Sequence, residues 1–179
     1  MYRFYSGIGI PYKNFSVLPF EKSFFSGGAN GMRGWRLRKL GPGSYFDPDA
    51  NIIDHIGNIQ MEANLEYRFD LLKIVEGAAF VDAGNIWLLE KDNNRPNAAF
   101  RTNEFMNEIA VSAGVGLRFD LNFFIIRTDI GIPIKDPILP KGERWMFQNK
   151  NAHNGILNNL GYGNYKILPV LNFGIGYPF

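Results

Sequence analysis

The chain has no cysteine, only two histidines and no long apolar run. Without cysteine there are no disulfides and no thiolate chemistry, although the compartment stays open. His55 and His153 lie far apart, and neither has a second histidine at metal-ligand spacing. No apolar stretch approaches the roughly 20 residues of a membrane-crossing helix. Charge of one sign is scarce too: the formal net charge is +2 over 179 residues, which gives no strong pull toward nucleic acid. No Gly-x-x-x-x-Gly-Lys-Ser/Thr string is present to cradle phosphate, and no Gly-x-Ser-x-Gly elbow to raise a nucleophile. No signal peptide is visible at the start of the sequence. Met1 is followed at once by Tyr2-Arg3-Phe4-Tyr5, which reads as strand, so the chain is expected to be the carboxyl-terminal piece of a longer one.

Aromatics and glycine are abundant, with 16 Phe, 8 Tyr, 3 Trp and 20 Gly. Both suit an all-β protein with aromatic girdles and close strand packing. The clearest pattern runs from Ile59 to Asp70. Ile59, Met61, Ala63, Leu65, Tyr67 and Phe69 are apolar, and every residue between them is polar or charged. Side chains alternate between the faces of a strand, so one face is oily and the other charged. A mean hydropathy of −0.14 is compatible with a membrane wall, because alternation averages the two faces.

Six strands are predicted: Tyr2 to Ile10, Ile56 to Phe69, Val75 to Trp87, Glu108 to Phe119, Phe123 to Ile134 and Tyr165 to Phe179. Most have the length of a tilted membrane-spanning strand, well beyond the ~5–6 residues of ordinary soluble strands. The connections alternate long, short, long, short, long, as in outer-membrane barrels with short periplasmic turns and long outer loops. That rhythm puts the carboxyl terminus at the periplasmic rim. The fourth, fifth and sixth strands repeat the two-faced pattern, with Val115, Ile130 and Phe173 on the oily side and Arg118, Arg127, Asp129 and Asn172 opposite. No Arg or Lys falls on a proposed lipid face, where it would cost about 2–4 kcal/mol at mid-membrane. Six strands are too few to close such a barrel, so further strands are expected from upstream sequence or another chain.

The first long loop carries Gly27-Gly28-Ala29-Asn30-Gly31-Met32-Arg33-Gly34-Trp35. Arg33-Gly34-Trp35 resembles the Arg-Gly-aromatic signature in the sixth loop of the BamA/TamA superfamily, also called the bacterial surface antigen family. Gly57 to Phe69, ending Glu66-Tyr67-Arg68-Phe69, and Phe80-Val81-Asp82-Ala83-Gly84-Asn85-Ile86-Trp87 resemble the two strands that follow it in that family. The terminal aromatic Phe179 fits as well.

The resemblance implies the last six strands of a larger antiparallel transmembrane β-barrel, of about 16 strands. It implies insertion or translocation of proteins at the bacterial outer membrane, with no enzymatic step and no cofactor. The partners would be the outer-membrane lipid bilayer, unfolded outer-membrane proteins or secreted substrates, and periplasmic or lipoprotein accessory subunits; nucleic acid would not be one. It also implies that the loop folds into the lumen, where Arg33 pairs with Glu66 and Asp82. Gly34 would permit a tight turn and Trp35 would pack against the inner wall. Alternation independently puts Glu66 on the lumen side beside Glu62. Phe173, Tyr177 and Phe179 would form a terminal assembly signal.

Other readings remain. A passive porin or adhesin barrel would share the wall but lack upstream periplasmic domains. A secreted two-sheet β-domain would need no detergent. Arg127 and Asp129 could serve as a dyad in an enzyme, although charges paired across strands in the lumen explain them more simply. His153 sits in an Asn-rich loop and reads as surface.

Overall fold

The computed structural model describes residues 1–12, 18–47, 55–121, 123–146 and 168–176. Six antiparallel strands form one sheet in sequence order: β1 (Tyr2–Ile8), β2 (Ile59–Leu72), β3 (Val75–Trp87), β4 (Ala110–Asp120), β5 (Ile125–Lys135) and β6 (Val170–Ile175). β2 to β5 are 11 to 14 residues long. Helix is confined to a single 3-10 turn (Phe20–Lys22) and α1 (Phe105–Glu108) among the described residues.

The alternation in the sequence becomes alternation in exposure, but inside out for a water-soluble sheet. Glu62, Asn64 and Glu66 are buried, whereas Leu65 is 60% exposed. Ser112 and Arg118 are buried on β4 and Val115 is 60% exposed; Asn172 is buried on β6 and Phe173 is 68% exposed. A soluble two-sheet domain requires the reverse, since it packs its apolar face inward and wets its polar one. Leu65, Val115 and Phe173 do not lie in a dry core, so that reading falls.

Several boundaries differ from the sequence expectation. β1 ends at Ile8 rather than Ile10, and β2 spans Ile59–Leu72 rather than Ile56 to Phe69. β4 does not begin at Glu108. That residue closes α1, and its buried carboxylate accepts hydrogen bonds from Trp87 Nε1 (2.8 Å), Arg101 Nη2 (2.8 Å) and Ser44 Oγ (3.2 Å). Three convergent donors fix a turn that no local pattern announces. β5 runs from Ile125, not Phe123, and β6 from Val170; the remainder of the predicted last strand at 165–167 and 177–179 lies outside the described residues.

The two short connections fall at residues 73–74 and 121–124, the long ones at 9–58, 88–109 and 136–169. The first long connection folds back on itself. Ser26 bridges Leu40, and Gly28 N donates to Trp35 O at 2.8 Å. Gly27 and Gly28 take φ of 100° and 87°, the left-handed region that glycine enters without a Cβ clash. The result is a compact tip, residues 28–35, lying against the buried polar face.

Candidate functional site

Arg33 is 1% exposed and uses its planar fork on two strands at once. Nε and Nη2 donate to Asp82 Oδ2 and Oδ1 at 3.0 and 2.8 Å, and its backbone N–H adds a third bond to Oδ2 at 3.1 Å. Nη1 donates to Glu66 Oε2 at 2.6 Å. The guanidinium carbon stands 3.5 Å from the centre of the Phe80 ring, so the cation also meets an aromatic face. A lysine has one compact ammonium and cannot reproduce this two-carboxylate fork.

The pairs extend into a larger charge cluster. Arg118 Nη2 reaches the same Glu66 oxygen at 2.9 Å, and its Nη1 lies 2.7 Å from Asp129 Oδ1. Arg127 Nη1 lies 3.4 Å from Asp129 Oδ2, and Arg68 Nε donates to Glu66 Oε1 at 2.7 Å. Arg33, Arg118 and Arg127 thus face Glu66, Asp82 and Asp129, three cations against three anions, all nearly excluded from solvent. Three buried carboxylates without these guanidiniums would repel one another in a medium that screens poorly.

The tip is held through its backbone as well. Asn64 Nδ2 donates to Gly31 O and to Asp82 Oδ1, both at 2.9 Å, and Gly34 N donates to Ser112 Oγ at 3.3 Å. Gly34 is required for room: a Cβ there would overlap the Ser112 Cβ and press on the Ile132 backbone. Trp35 is buried with Met32, Leu40 and Ala110, and its Nε1 donates to Asp136 Oδ2 at 3.3 Å. The tip therefore touches β2 through β5, and Asn172 brings in β6. Strands sit about 4.8 Å apart, so β2 and β6 would be about 19 Å apart in a flat sheet. One loop residue can meet both only because the sheet curls around it.

A wall with an oily outside, a charged inside and a loop plugged into its concave face is the geometry of a membrane barrel. A family model of the Omp85 superfamily domain matches residues 1–177. The chain belongs to the Omp85 superfamily. Omp85 proteins are β-barrels of the bacterial outer membrane that insert or translocate proteins, and they act together with outer-membrane substrates and accessory proteins. The family is one of assembly and translocation rather than enzymatic chemistry. No helix among the described residues is long and apolar enough to cross a membrane, which says nothing of an Omp85 wall that crosses with strands.

Glu62 lies on the same face but does not touch the guanidinium of Arg33. It accepts from Ser26 Oγ at 2.8 Å, Gln60 Nε2 at 2.9 Å and Arg3 Nη2 at 3.0 Å, and so holds the shoulder of the loop. Phe173 points outward on β6, while Tyr177 and Phe179 lie outside the described residues, as does His153. Arg127 and Asp129 lie in the charge cluster, where Asp129 pairs with both Arg118 and Arg127, which is the paired-charge arrangement.

Sequence reasoning missed Phe80, Ser112 and Asn172 as loop-contacting residues, and Arg118 as the wall cation that shares Glu66 with Arg33. Alternation placed Arg118 and Ser112 on the right face; the cross-strand register, which brings Asp129 opposite Gly116 and Asn172, was the absent information. Among the described residues no group of three or more His, Cys, Asp or Glu could hold a metal ion. In the long connections, the Arg95 side chain lowers the Asp92 pKa and the Lys141 ammonium lowers that of Glu104; the latter contact joins the 88–109 and 136–169 connections.

Proposed function

We propose that this chain is the carboxyl-terminal part of an Omp85-type barrel that inserts or translocates other proteins at the outer membrane, and that the docked loop is its competent state. Residues 1–179 form one piece of that barrel, and the strands that close it lie outside this chain. β1 and β6 pair on one side only among the described residues, and a sheet edge left open to lipid would strand backbone donors and acceptors. Arg33 is the lock, Glu66 and Asp82 are its receptors, Gly34 gives the approach and Trp35 seats the tip. Glu62 steadies the shoulder. Phe173, with Tyr177 and Phe179, forms the apolar signal of the last strand. Substrates are unfolded outer-membrane or secreted proteins, and the accessory partners are periplasmic or lipoprotein subunits.

The observation that carries the reading is the Arg33 guanidinium buried between Glu66 and Asp82. An ion cluster that fastens the loop to four strands of the wall makes the position of the loop a defined state of the barrel. Breaking one member of such a buried pair costs about 3–5 kcal/mol, less where lumen water reaches it. The test is insertion of a nascent barrel substrate, or passage of a secreted one, by the full-length protein in vesicles. Arg33→Ala is expected to lower that activity severalfold. Unchanged activity and unchanged heat stability in Arg33→Ala would overturn the reading.

A further inference from the structure

The last described strand takes part in holding the loop. Asn172 Nδ2 on β6 donates to the main-chain oxygen of Arg33 at 2.9 Å, and Asn172 is 8% exposed. Asparagine is disfavoured in strands, so its burial here calls for a partner, and that partner is the loop. One register step away, Arg127 stands opposite Gly174 of β6. A Cβ on Gly174 would lie 2.5 Å from Arg127 Nε, so the glycine leaves the space that the guanidinium occupies. From that seat Arg127 Nη1 donates to Ala29 O at 2.7 Å, and Nη2 hydrogen-bonds the Asn30 side-chain oxygen. Gly131 completes the floor. A Cβ there would come within 2.5 Å of Arg33 O, so the tip lies directly on the β5 backbone.

Loop and strand therefore share a surface. We propose that the lumen face of β6, through Asn172 and the Arg127 side chain seated over Gly174, couples the position of the last strand to the docked loop. Asn172 and Arg127 are positioning residues: β6 cannot separate from β5 without losing the bond to Arg33 O and exposing the seat of Arg127. β6 pairs with β5 over six residues, and the bond from Asn172 to Arg33 O ties the same strand to the loop in addition to that ladder. By linkage the effect is reciprocal. Whatever factor the docked loop adds to the pairing of β6, the paired β6 adds to docking of the loop. The inference rests on the reading of the docked loop as the competent state, and it makes the last strand a regulator of that state.

The test is hydrogen exchange of the full-length protein in lipid nanodiscs, read by mass spectrometry over residues 28–35, 59–87 and 170–175. Asn172→Ala is expected to speed exchange severalfold both in the 28–35 tip and in 170–175, with 59–87 unchanged. Arg33→Ala, which undocks the loop, is expected to speed exchange in 170–175 as well. The double variant is expected to exceed the larger single effect by little, because both act through one contact. A purely local role for Asn172 gives multiplicative effects, or faster exchange in 170–175 alone, and either overturns the coupling. So does unchanged β6 exchange in Arg33→Ala. If Asn172→Ala loses protection in 59–87 as well, Asn172→Ser serves in its place, with Arg127→Lys as a second probe that keeps the charge and loses the fork. Exchange is read without any substrate, so coupling can stand when insertion is untouched by Arg33→Ala, and the two failures are separable.

Discussion

Arg118 on β4 reaches over β3 to Glu66 on β2, Nη2 to Oε2 at 2.9 Å, and shares that oxygen with Arg33. One carboxylate oxygen thus takes a cation from the wall and a cation from the loop. The docked loop is built into the barrel's own charge balance rather than laid on top of it. Arg118 also spans to Asp129, so the cluster ties β2, β4 and β5 together and the loop enters as its central cation.

Arg118→Met keeps the aliphatic length and removes the charge. Glu66 would retain Arg33 and Arg68, but Asp129 would lose its nearest partner and keep Arg127 at 3.4 Å. A loss of about 3 kcal/mol or less is expected, since the remaining cations compensate in part. Urea unfolding of the full-length barrel in detergent checks the value. Arg118→Lys should recover only part of it, because one ammonium cannot span two carboxylates. Stability equal to the parent would mean that the cluster is not shared.

Charge reversal tests direction. Arg33→Glu sets a new carboxylate beside Glu66 and Asp82, and both barrel assembly and insertion activity should fall sharply. Adding Asp82→Arg restores one attractive contact and should recover part of the loss. Recovery should stay partial, because Asp82 also accepts from Asn64 and from the backbone N–H of Arg33, and an arginine accepts nothing. The readout is the heat-resistant folded band on gels together with substrate insertion. Equal defects in the single and double variants would rule out a direct pair.

What could be read from sequence followed one periodicity. The strand from Val75 to Trp87 has the same ends in sequence and structure, and the face of Glu66 follows from unbroken alternation between Ile59 and Asp70. Period two says which way a side chain points. It does not say which residue it meets, and that needs the register between strands. Trp35 finds Asp136 and Arg33 O finds Asn172, contacts 101 and 139 residues apart. Glu108 shows the opposite limit: alternation extended a strand through it, while three distant donors turned it into the end of a helix.

Gly34→Ala should destabilise docking by steric overlap rather than by loss of backbone freedom. Its added methyl would meet the Ser112 side chain and the Ile132 backbone. Such overpacking typically costs about 1–3 kcal/mol. Ser112→Gly in the same chain opens the space, gives up the 3.3 Å bond from Gly34 N, and should return part of the stability. Thermal unfolding of the four proteins of the cycle measures the coupling. Additive effects would show that the two positions do not meet.

The wall itself can be probed on its oily side. Leu65→Arg and Val115→Arg replace outward side chains, each 60% exposed, with a charge that hydrocarbon solvates poorly. Near the bilayer midplane each should cost about 2–4 kcal/mol when the full-length barrel refolds into lipid vesicles. Ala63→Arg and Tyr67→Arg, one pleat repeat to either side of Leu65, report depth: the cost should fall toward whichever lies nearer a headgroup layer. An arginine at Leu65 in water would be close to neutral, as surface substitutions are. Equal stability of Leu65→Arg and the parent in vesicles, with both folded and monodisperse in detergent-free buffer, would place water where the sheet's apolar face requires lipid.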